Sequence, residues 1–99
     1  METELTWDKA KRIQNLKKHG LDFANAGWVL DSPYRFDSPV VRNGENRMQS
    51  FAYVFGKLAV LLVVHAGSGH KTRVISFRRA SGKEREVYRE WLRNEYVNP

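Results

Sequence analysis

The feature that most constrains the fold is an unbroken apolar run, Leu58–Val64, in the second half of the chain. The run contains no charge and no proline, it is rich in branched side chains, and glycine-containing turn signals flank it on both sides. It is too short to span a bilayer, and its composition is typical of a strand that is covered on both faces. We therefore predict that it is the central strand of a sheet, joined by hairpins to strands at Gln49–Phe55 and Lys71–Arg78.

Capping residues predict two helices before the sheet. Asp8 is a suitable N-cap for a first helix from about Lys9 to His19, and Gly20 is the left-handed residue expected to end it. A second helix follows almost at once, because Asp22 can cap it and Ser32-Pro33 stops it. The apolar face of this second helix comprises Phe23, Ala26, Val29 and Leu30.

Two further segments are candidate edge strands. Leu5–Trp7 is either a short edge strand or a packed lead-in to the first helix. Tyr34–Val41 is at best an edge strand, because Pro39 cannot donate a backbone hydrogen bond to a neighbour. Asn43-Gly44 predicts the hairpin turn that follows it.

The C-terminal helix has the clearest start signal in the chain. Ser81 and Glu84 fit a capping box, and the helix behind them is expected to give way to a tail from about residue 94. Together these elements predict a single α+β domain over residues 1–99. It consists of a small antiparallel sheet of three to four strands, two N-terminal helices and one C-terminal helix.

Positive charge is the strongest compositional property of the chain. Its 17 lysines and arginines and 11 acidic residues give a formal net charge of +6. On so small a surface this excess favours a polyanionic partner: nucleic acid, an acidic protein segment or anionic lipid. Cysteine is absent, which excludes disulfides and thiolate metal sites. The acidic N-terminus lacks the apolar core of a signal peptide, and no segment is long enough to cross a membrane, so we expect a cytoplasmic location.

The sequence offers no motif for a common cofactor or metal. It contains no P-loop, no dinucleotide glycine fingerprint and no paired-histidine metal motif. His19, His65 and His70 are widely spaced, so we expect neither a metal site nor a cofactor. His65, at the end of the central strand, is interpreted as a buried structural histidine.

Charged residues at the ends of the predicted elements are compatible with RNA cleavage that needs no metal. This reaction requires a base for the 2′-hydroxyl proton, cations for the charged phosphorane and an acid for the leaving oxygen. Glu45 and His19 are candidates for the base or the acid. Arg47, Arg73 and Arg78 are candidates for a phosphate clamp, since one guanidinium can donate two hydrogen bonds. The same side chains would also suit a protein that only binds nucleic acid.

Spacing leaves the position of several cations open. Arg73 and Arg78 are five residues apart, so a regular strand places them on opposite faces of the sheet. Both can serve one site only through a β-bulge or at the end of the sheet. Lys17 and Lys18, in the last turn of the first helix, either match the helix dipole or contact phosphate.

Several stretches between about Trp7 and Tyr88 together resemble the BrnT family of toxins in their order and spacing. No single stretch is decisive, but the combination is specific. The stretches are Trp7-Asp8-x-x-Lys11, Asn15-Leu16-x-Lys18-His19-Gly20-Leu21-x-Phe23-x-x-Ala26, Gly44-Glu45-Asn46-Arg47, Leu61-Leu62-Val63-Val64-His65 and Arg73-Val74-Ile75-Ser76-x-Arg78-Arg79-Ala80-Ser81-x-x-Glu84-Arg85-x-x-Tyr88.

The resemblance implies a RelE-like fold and a role in a type II toxin–antitoxin system. It further implies RNA cleavage that inhibits translation, neutralisation by a BrnA-type antitoxin, and contact with operator DNA only through that antitoxin. The positions that match the family's charged and polar residues are Lys18, His19, Glu45, Arg47, Arg73, Ser76, Arg78 and Arg79.

The resulting hypothesis is a metal-independent RNA endonuclease. Its predicted catalytic residues are His19, Glu45, Arg47, Arg73 and Arg78, and its predicted RNA contacts are Lys17, Lys18, Ser76, Arg79, Lys83 and Arg85. The mechanism requires the cations at 18, 47, 73 and 78 to converge beside Glu45 in one concavity. Two alternatives stay open: a non-catalytic basic module that binds nucleic acid or an acidic protein, and an inactive toxin homologue.

Overall fold

A five-stranded mixed sheet organises the chain. The computed structural model describes residues 4–96, and its strands are β1 (Glu4–Trp7), β2 (Phe36–Arg42), β3 (Glu45–Val54), β4 (Ala59–Ser68) and β5 (Lys71–Arg79). Their order across the sheet is β1-β5-β4-β3-β2, with β1 parallel to β5 and all other neighbours antiparallel. The α+β class is confirmed. The predicted sheet was too small, and the parallel pairing of β1 makes the observed sheet mixed rather than antiparallel.

The strand predicted to be central is β4, the middle strand of the sheet. Leu61, Leu62 and Val63 are fully buried, because β4 has a neighbour on each side and packing on both faces. The strand extends further than predicted, to Ser68. Leu58 is not part of it, since its φ of 51° places it in the left-handed region at the turn from β3.

The edge strand β2 forms a hairpin with β3, as its turn signal predicted. Arg42 pairs with Glu45 across a two-residue loop of Asn43 and Gly44. Both loop residues have positive φ, 52° and 74°, which is the conformation that favours Asn-Gly in such hairpins. Pro39 lies within β2, where its missing N–H is tolerated because one side of the strand has no neighbour.

The first helix, α1 (Lys9–His19), forms as predicted. The Asp8 carboxylate accepts a hydrogen bond from the backbone N–H of Lys11 at 3.0 Å, and Gly20 ends the helix with a φ of 70°. The left-handed residue lets the Gly20 N–H bond back to the carbonyl of Leu16, which satisfies one free group at the helix end.

The predicted second helix is not continuous. It consists of a 3₁₀ turn, Phe23–Asn25, followed by a single α-helical turn, α2 (Gly27–Leu30). The Asp22 side chain does cap the first turn, by accepting from the N–H of Ala24 at 3.0 Å. Ser32-Pro33 ends the segment, and Gly27, in its middle, has a low helix propensity and disfavours a continuous helix. The predicted apolar residues are nevertheless in the core: Phe23, Ala26 and Val29 are fully buried.

The C-terminal helix, α3 (Gly82–Tyr96), begins at the predicted capping box. The N–H of Glu84 donates to Ser81 Oγ at 3.2 Å, and the N–H of Ser81 donates to the Glu84 carboxylate at 2.8 Å. Residues 94–96, expected to begin a tail, belong to the helix, and residues 97–99 lie outside the described part of the chain. No helix within residues 4–96 is both long enough and apolar enough to cross a membrane.

The sheet separates two apolar clusters, which define its two faces. On the α2 face, Ala52, Leu61, Val63, Val74 and Phe77 pack with Leu21, Phe23, Ala26 and Val29. On the α3 face, Phe51, Val60 and Leu62 pack with Ala80, Tyr88 and the partly buried Trp91 and Leu92. Because α3 packs over only one end of its face, the end formed by the start of β3 and the start of β5 is left open.

Candidate functional site

A β-bulge in β5 determines where the predicted arginines point. Val64 of β4 pairs with Ser76, but the next residue, His65, pairs with Val74. One residue of β5, Ile75, therefore has no partner of its own on β4. Such an extra residue shifts the alternation of side chains between the two faces of the sheet.

The bulge places Arg73 and Arg78 on the same face. Val74 and Phe77 both belong to the core on the α2 face, although they are three residues apart. Since neighbouring residues of a strand point to opposite faces, Arg73, Ser76 and Arg78 project from the α3 face. For a regular strand, the spacing in the sequence predicted that the two arginines lie on opposite faces. A β-bulge was named as the exception, and the structure contains one.

Glu45 binds two arginines on the open end of the α3 face. Arg47, two residues further along β3, donates from Nε to the carboxylate at 2.8 Å. Arg73 reaches over β4, at the position of Ala66, and donates from Nη2 to both carboxylate oxygens at 2.8 and 2.7 Å. We call Glu45, Arg47 and Arg73 the Glu45 cluster. It joins β3 to β5 across β4, and the small Ala66 side chain leaves room for the long arginine above it.

The Glu45 cluster is charged and accessible. Hydrogen bonds from Arg47 and then from Arg73 hold the pKa of the Glu45 carboxyl below its ordinary value. The Arg73 side chain is 48% exposed, whereas that of Arg47 is only 17% exposed. Arg47 is therefore a fixed donor, and Arg73 is the guanidinium that an incoming anion would meet first.

Arg78 belongs to a second cluster, at the other end of β5. Its two terminal nitrogens donate to the two carboxylate oxygens of Glu84 at 2.8 and 3.0 Å. Glu84 also accepts from the N–H of Ser81, so the pair joins the end of β5 to the start of α3. The hydrogen bond from Arg78 is the main cause that lowers the pKa of Glu84 to about 2.

The Arg78–Glu84 pair predicts a specific dependence of stability on pH. Because the folded-state pKa of Glu84 lies below the value of 4.5 in the unfolded chain, its contribution is complete above pH 4.5 and is lost as the pH falls towards 2. We expect Glu84→Gln to lower the free energy of unfolding at pH 7 by about 2 kcal/mol and to flatten its pH dependence between those values. Urea unfolding at several pH values measures both effects. An unchanged pH profile in Glu84→Gln would contradict the assignment, and Glu86→Gln, an exposed neighbour, is the control.

The end of α1 lies beside this second cluster. Lys18, His19 and Ser76 line a shallow depression of about 220 Å³ at the edge of β5. Burial, followed by the charges of Lys18 and Arg78, lowers the pKa of His19 from its ordinary 6.5. At neutral pH the imidazole is therefore uncharged and can accept a proton or a hydrogen bond.

Asn15 fixes α1 against the sheet, and the sequence analysis missed this residue. Its side-chain amide donates to the carbonyls of Leu21 and Phe77, at 3.0 and 2.8 Å, and its oxygen accepts from the N–H of Phe77 at 3.2 Å. β1 pairs with β5 only as far as Val74, and beyond that point the Asn15 side chain makes the hydrogen bonds to the backbone of Phe77 that a neighbouring strand would make. It lies in one of the stretches that resemble the BrnT family, but local pattern gave it no role.

The predicted site residues form two groups rather than one concavity. One group surrounds Glu45 and the other surrounds Arg78. Arg73 and Arg78 are about 15 Å apart along β5, given a rise of about 3.3 Å per strand residue. The structure does not bring Lys18 or Arg78 to Glu45, so Glu45 and His19 are not placed to act on the same phosphodiester.

The remaining candidates for RNA contact are exposed and lie on different surfaces. Lys17 is in the last turn of α1, and Lys83 is in the first turn of α3. Arg79 and Arg85 line a cleft between α3 and the turn from β3 to β4. None of these four residues contacts the Glu45 cluster through a hydrogen bond between described residues.

His65 is part of a polar chain on the opposite, α2 face. Its Nε2 is 2.7 Å from Ser50 Oγ, and Ser50 donates its hydroxyl hydrogen to the Asp37 carboxylate at 2.6 Å. Nε2 must therefore carry the imidazole hydrogen and donate to Ser50. Burial, and then the charge of Arg35, lowers the pKa of His65, which keeps the ring neutral at pH 7. The chain links β2, β3 and β4, so a structural role fits His65, but the residue is half-buried and not buried as predicted.

Within residues 4–96 there is no group of three or more histidine, aspartate or glutamate side chains arranged to hold a metal ion. The arrangement on the α3 face offers guanidinium groups for an anion and a carboxylate beside them.

A comparison with known protein families finds a match for most of the chain. The model of a family described as "Ribonuclease toxin, BrnT, of type II toxin-antitoxin system" matches residues 7–84. The comparison with curated proteins gave no match. The matched segment runs from the end of β1 into the first turn of α3, so it includes both the Glu45 cluster and the Arg78–Glu84 pair.

Proposed function

Because the chain belongs to the BrnT family of ribonuclease toxins of type II toxin–antitoxin systems, we propose that it is an RNA endonuclease whose active site is the Glu45 cluster. The observation that supports this site is the binding of two arginines, from two different strands, to one accessible carboxylate. The two guanidinium groups can bind the phosphate of an RNA strand, and the Glu45 carboxylate beside them can act as the base. Cleavage of a phosphodiester requires both groups.

The cluster can perform the cleavage with its own side chains. Arg73 turns from the carboxylate to the phosphate and, together with the fixed Arg47, stabilises the charge that develops on the phosphorane. Glu45, released from Arg73, becomes a stronger base and takes the proton of the 2′-hydroxyl. The 2′-oxygen then bonds to phosphorus, the bond to the 5′-oxygen breaks, and the leaving oxygen takes a proton from water. The products are a 2′,3′-cyclic phosphate and a 5′-hydroxyl, and no step requires a metal ion.

The second cluster, around Arg78, binds the RNA a few nucleotides away from the cleavage site. Ser76 and Arg78 are on the same face as Arg73, and the end of α1 adds Lys18 and the neutral His19. About 15 Å of β5 separates the two clusters, a length that a few nucleotides of single-stranded RNA can span. We assign Lys17 and Lys83 to weaker electrostatic attraction of RNA, whereas Arg79 and Arg85 line a separate cleft away from the proposed RNA path.

The cellular role we propose follows from the family. Cleavage of RNA inhibits translation, and a BrnA-type antitoxin neutralises the toxin and carries it to operator DNA.

A cleavage assay in the presence of chelator tests the proposal. We expect the purified protein to cut single-stranded RNA in EDTA, to leave a 2′,3′-cyclic phosphate, and to leave the same sequence intact when every 2′-hydroxyl is methylated. Methylated RNA must still bind, because the arginines contact phosphate, and this separates binding from cleavage. Cleavage of the methylated RNA would contradict the role of the 2′-hydroxyl. RNA binding without any cleavage, and without growth arrest on expression, would instead favour a non-catalytic binding module or an inactive homologue.

A further inference from the structure

A cleft on the far flank of α3 combines positive charge with apolar walls. It has a volume of about 500 Å³, which is within the range of protein binding sites. It lies between α3 and the turn from β3 to β4. The residues that matter for its chemistry are Arg79, Arg85 and Arg89 on the rim, Val60 and Leu92 on the floor, and Leu58 at the mouth.

The three rim arginines have no carboxylate partner among residues 4–96. Each of the other functional arginines, Arg73 and Arg78 among them, is bound to a glutamate. Arg79, Arg85 and Arg89 appear in no ion pair of the described residues, and all three are exposed. Like charges gathered around one cleft repel each other, so their proximity favours an anionic occupant.

Large apolar side chains are exposed at the mouth of the same cleft. Leu58 lines the cleft and is 78% exposed, and Phe55, which is 76% exposed, contacts the cleft residue Tyr53. Leu58 also has a φ of 51°, a conformation that disfavours residues with a Cβ and that is typical of functional positions when no glycine is used. The turn therefore presents an apolar surface where folding alone would favour asparagine or glycine.

The cleft is separate from the proposed active site. Glu45 is the first residue of β3, and the cleft is at the other end of this ten-residue strand, about 25 Å away. The helix also lies between them: Arg85 and Arg89 are on one flank of α3, whereas Glu84, which binds Arg78, is on the other. RNA bound at the Glu45 cluster would leave this cleft empty.

We propose that the cleft binds an acidic amphipathic segment of a protein partner. Its apolar side chains pack on Leu58, Val60 and Leu92, and its carboxylates bind the rim arginines. The mainly aliphatic lining favours protein over RNA, because its two aromatic residues offer little surface to a base: Tyr88 is only 3% exposed and Tyr53 is half-buried. The Tyr53 ring lines the cleft and meets the Phe55 ring edge to face at 4.9 Å, so the two rings do not form parallel platforms for bases. If the proposed function holds, this partner is the antitoxin.

Binding of a defined peptide to the purified chain tests the proposal. The probe is a synthetic 18-residue helix with leucine at positions i, i+4, i+7 and i+11 and glutamate on both flanks of that stripe. Backbone amide NMR shifts locate the site, and fluorescence anisotropy measures the affinity. We expect shifts concentrated at residues 55–60 and 85–92. Arg89→Glu should weaken binding at least 10-fold, while Arg93→Glu, one turn further along α3 and outside the cleft, should change it less than 2-fold.

A second variant guards against a purely electrostatic explanation. Leu58→Asn removes the apolar side chain and suits the left-handed conformation, so the melting temperature should not fall while peptide affinity falls at least 5-fold. A peptide with serine in place of leucine should not bind. Equal loss in Arg93→Glu, unchanged affinity in Leu58→Asn, or occupation of the cleft by a 2′-O-methyl RNA in preference to the peptide would each overturn the proposal.

Cellular assays separate this inference from the proposed function. In cells, Arg89→Glu and Leu58→Asn should still arrest growth, but co-expression of the product of the neighbouring reading frame should no longer relieve the arrest. If the unmodified chain does not arrest growth, the proposed toxin function fails, whereas the peptide result still decides whether the cleft binds acidic protein.

Discussion

Replacing Arg73 by alanine is expected to reduce the rate of RNA cleavage by about 100-fold or more, the effect of removing one donor that stabilises transition-state charge. Arg73 is the exposed member of the Glu45 cluster and donates to both oxygens of the carboxylate. Without it, the site keeps the base but has lost the cation that an incoming phosphate meets first. The measurement is single-turnover cleavage of a short fluorescent RNA.

Fold stability should hardly change in this variant. The Arg73 side chain is 48% exposed, and ion pairs at such positions contribute little to folding. Arg93→Ala, also an exposed arginine, is the matched control for net charge, and its activity should stay within about 3-fold of the unmodified chain. Arg73→Lys keeps the charge but has no planar guanidinium to bind two phosphate oxygens, so it should recover only part of the activity.

Arg78→Ala provides the comparison that can contradict this site. Arg78 is about 15 Å from Arg73 along β5 and should affect RNA binding more than the chemical step. Loss of cleavage in Arg78→Ala together with near-normal cleavage in Arg73→Ala would move the active site to the end of α1. Because Arg78 also binds Glu84, the substitution can destabilise the fold, so the melting temperature of Arg78→Ala must be measured together with its activity.

Local signals in the sequence predicted the parts of the fold that local physics determines. The apolar run gave the central strand, Asn43-Gly44 gave a hairpin turn, and Asp8 and Ser81 gave helix caps that the structure confirms. In each case, the energy that selects the conformation comes from residues a few positions apart. The prediction therefore did not depend on knowing how the chain folds back on itself.

The parts that were missed depend on partners far apart in the chain. β1 pairs in parallel with β5, which is more than 60 residues away in the chain. No pattern within Glu4–Trp7 indicates which strand it pairs with. The bulge at Ile75 decides which face Arg73 and Arg78 share, but an isolated strand sequence does not mark it. For the same reason the sequence identified the residues of the Glu45 cluster without showing that Arg78 stands apart from them.

Replacing Asn15 by alanine is expected to cause the largest loss of stability among single polar substitutions in this chain. The side chain is 9% exposed and makes three hydrogen bonds to backbone groups of Leu21 and Phe77. The variant leaves a buried N–H and two buried carbonyls without this partner, and each unsatisfied group costs about 1–3 kcal/mol. We expect the free energy of unfolding to fall by about 3–5 kcal/mol, a large part of the total for a small domain. Urea unfolding measures it, and Gln14→Ala, an exposed neighbour on α1, should change it by less than about 0.5 kcal/mol.

Two related variants test whether hydrogen bonding, rather than lost volume, is the cause. Asn15→Asp keeps an acceptor for the Phe77 N–H but turns a carboxylate towards two carbonyl oxygens, so it should be no more stable than Asn15→Ala. Near-normal stability of Asn15→Asp would show that the two donated bonds contribute nothing. Asn15 also holds Lys18 and His19 beside β5, while the Glu45 cluster does not touch α1. At a temperature where Asn15→Ala stays folded, KM for RNA should therefore rise several-fold while kcat changes little, and an equal fall in kcat would instead indicate that the end of α1 takes part in the chemistry.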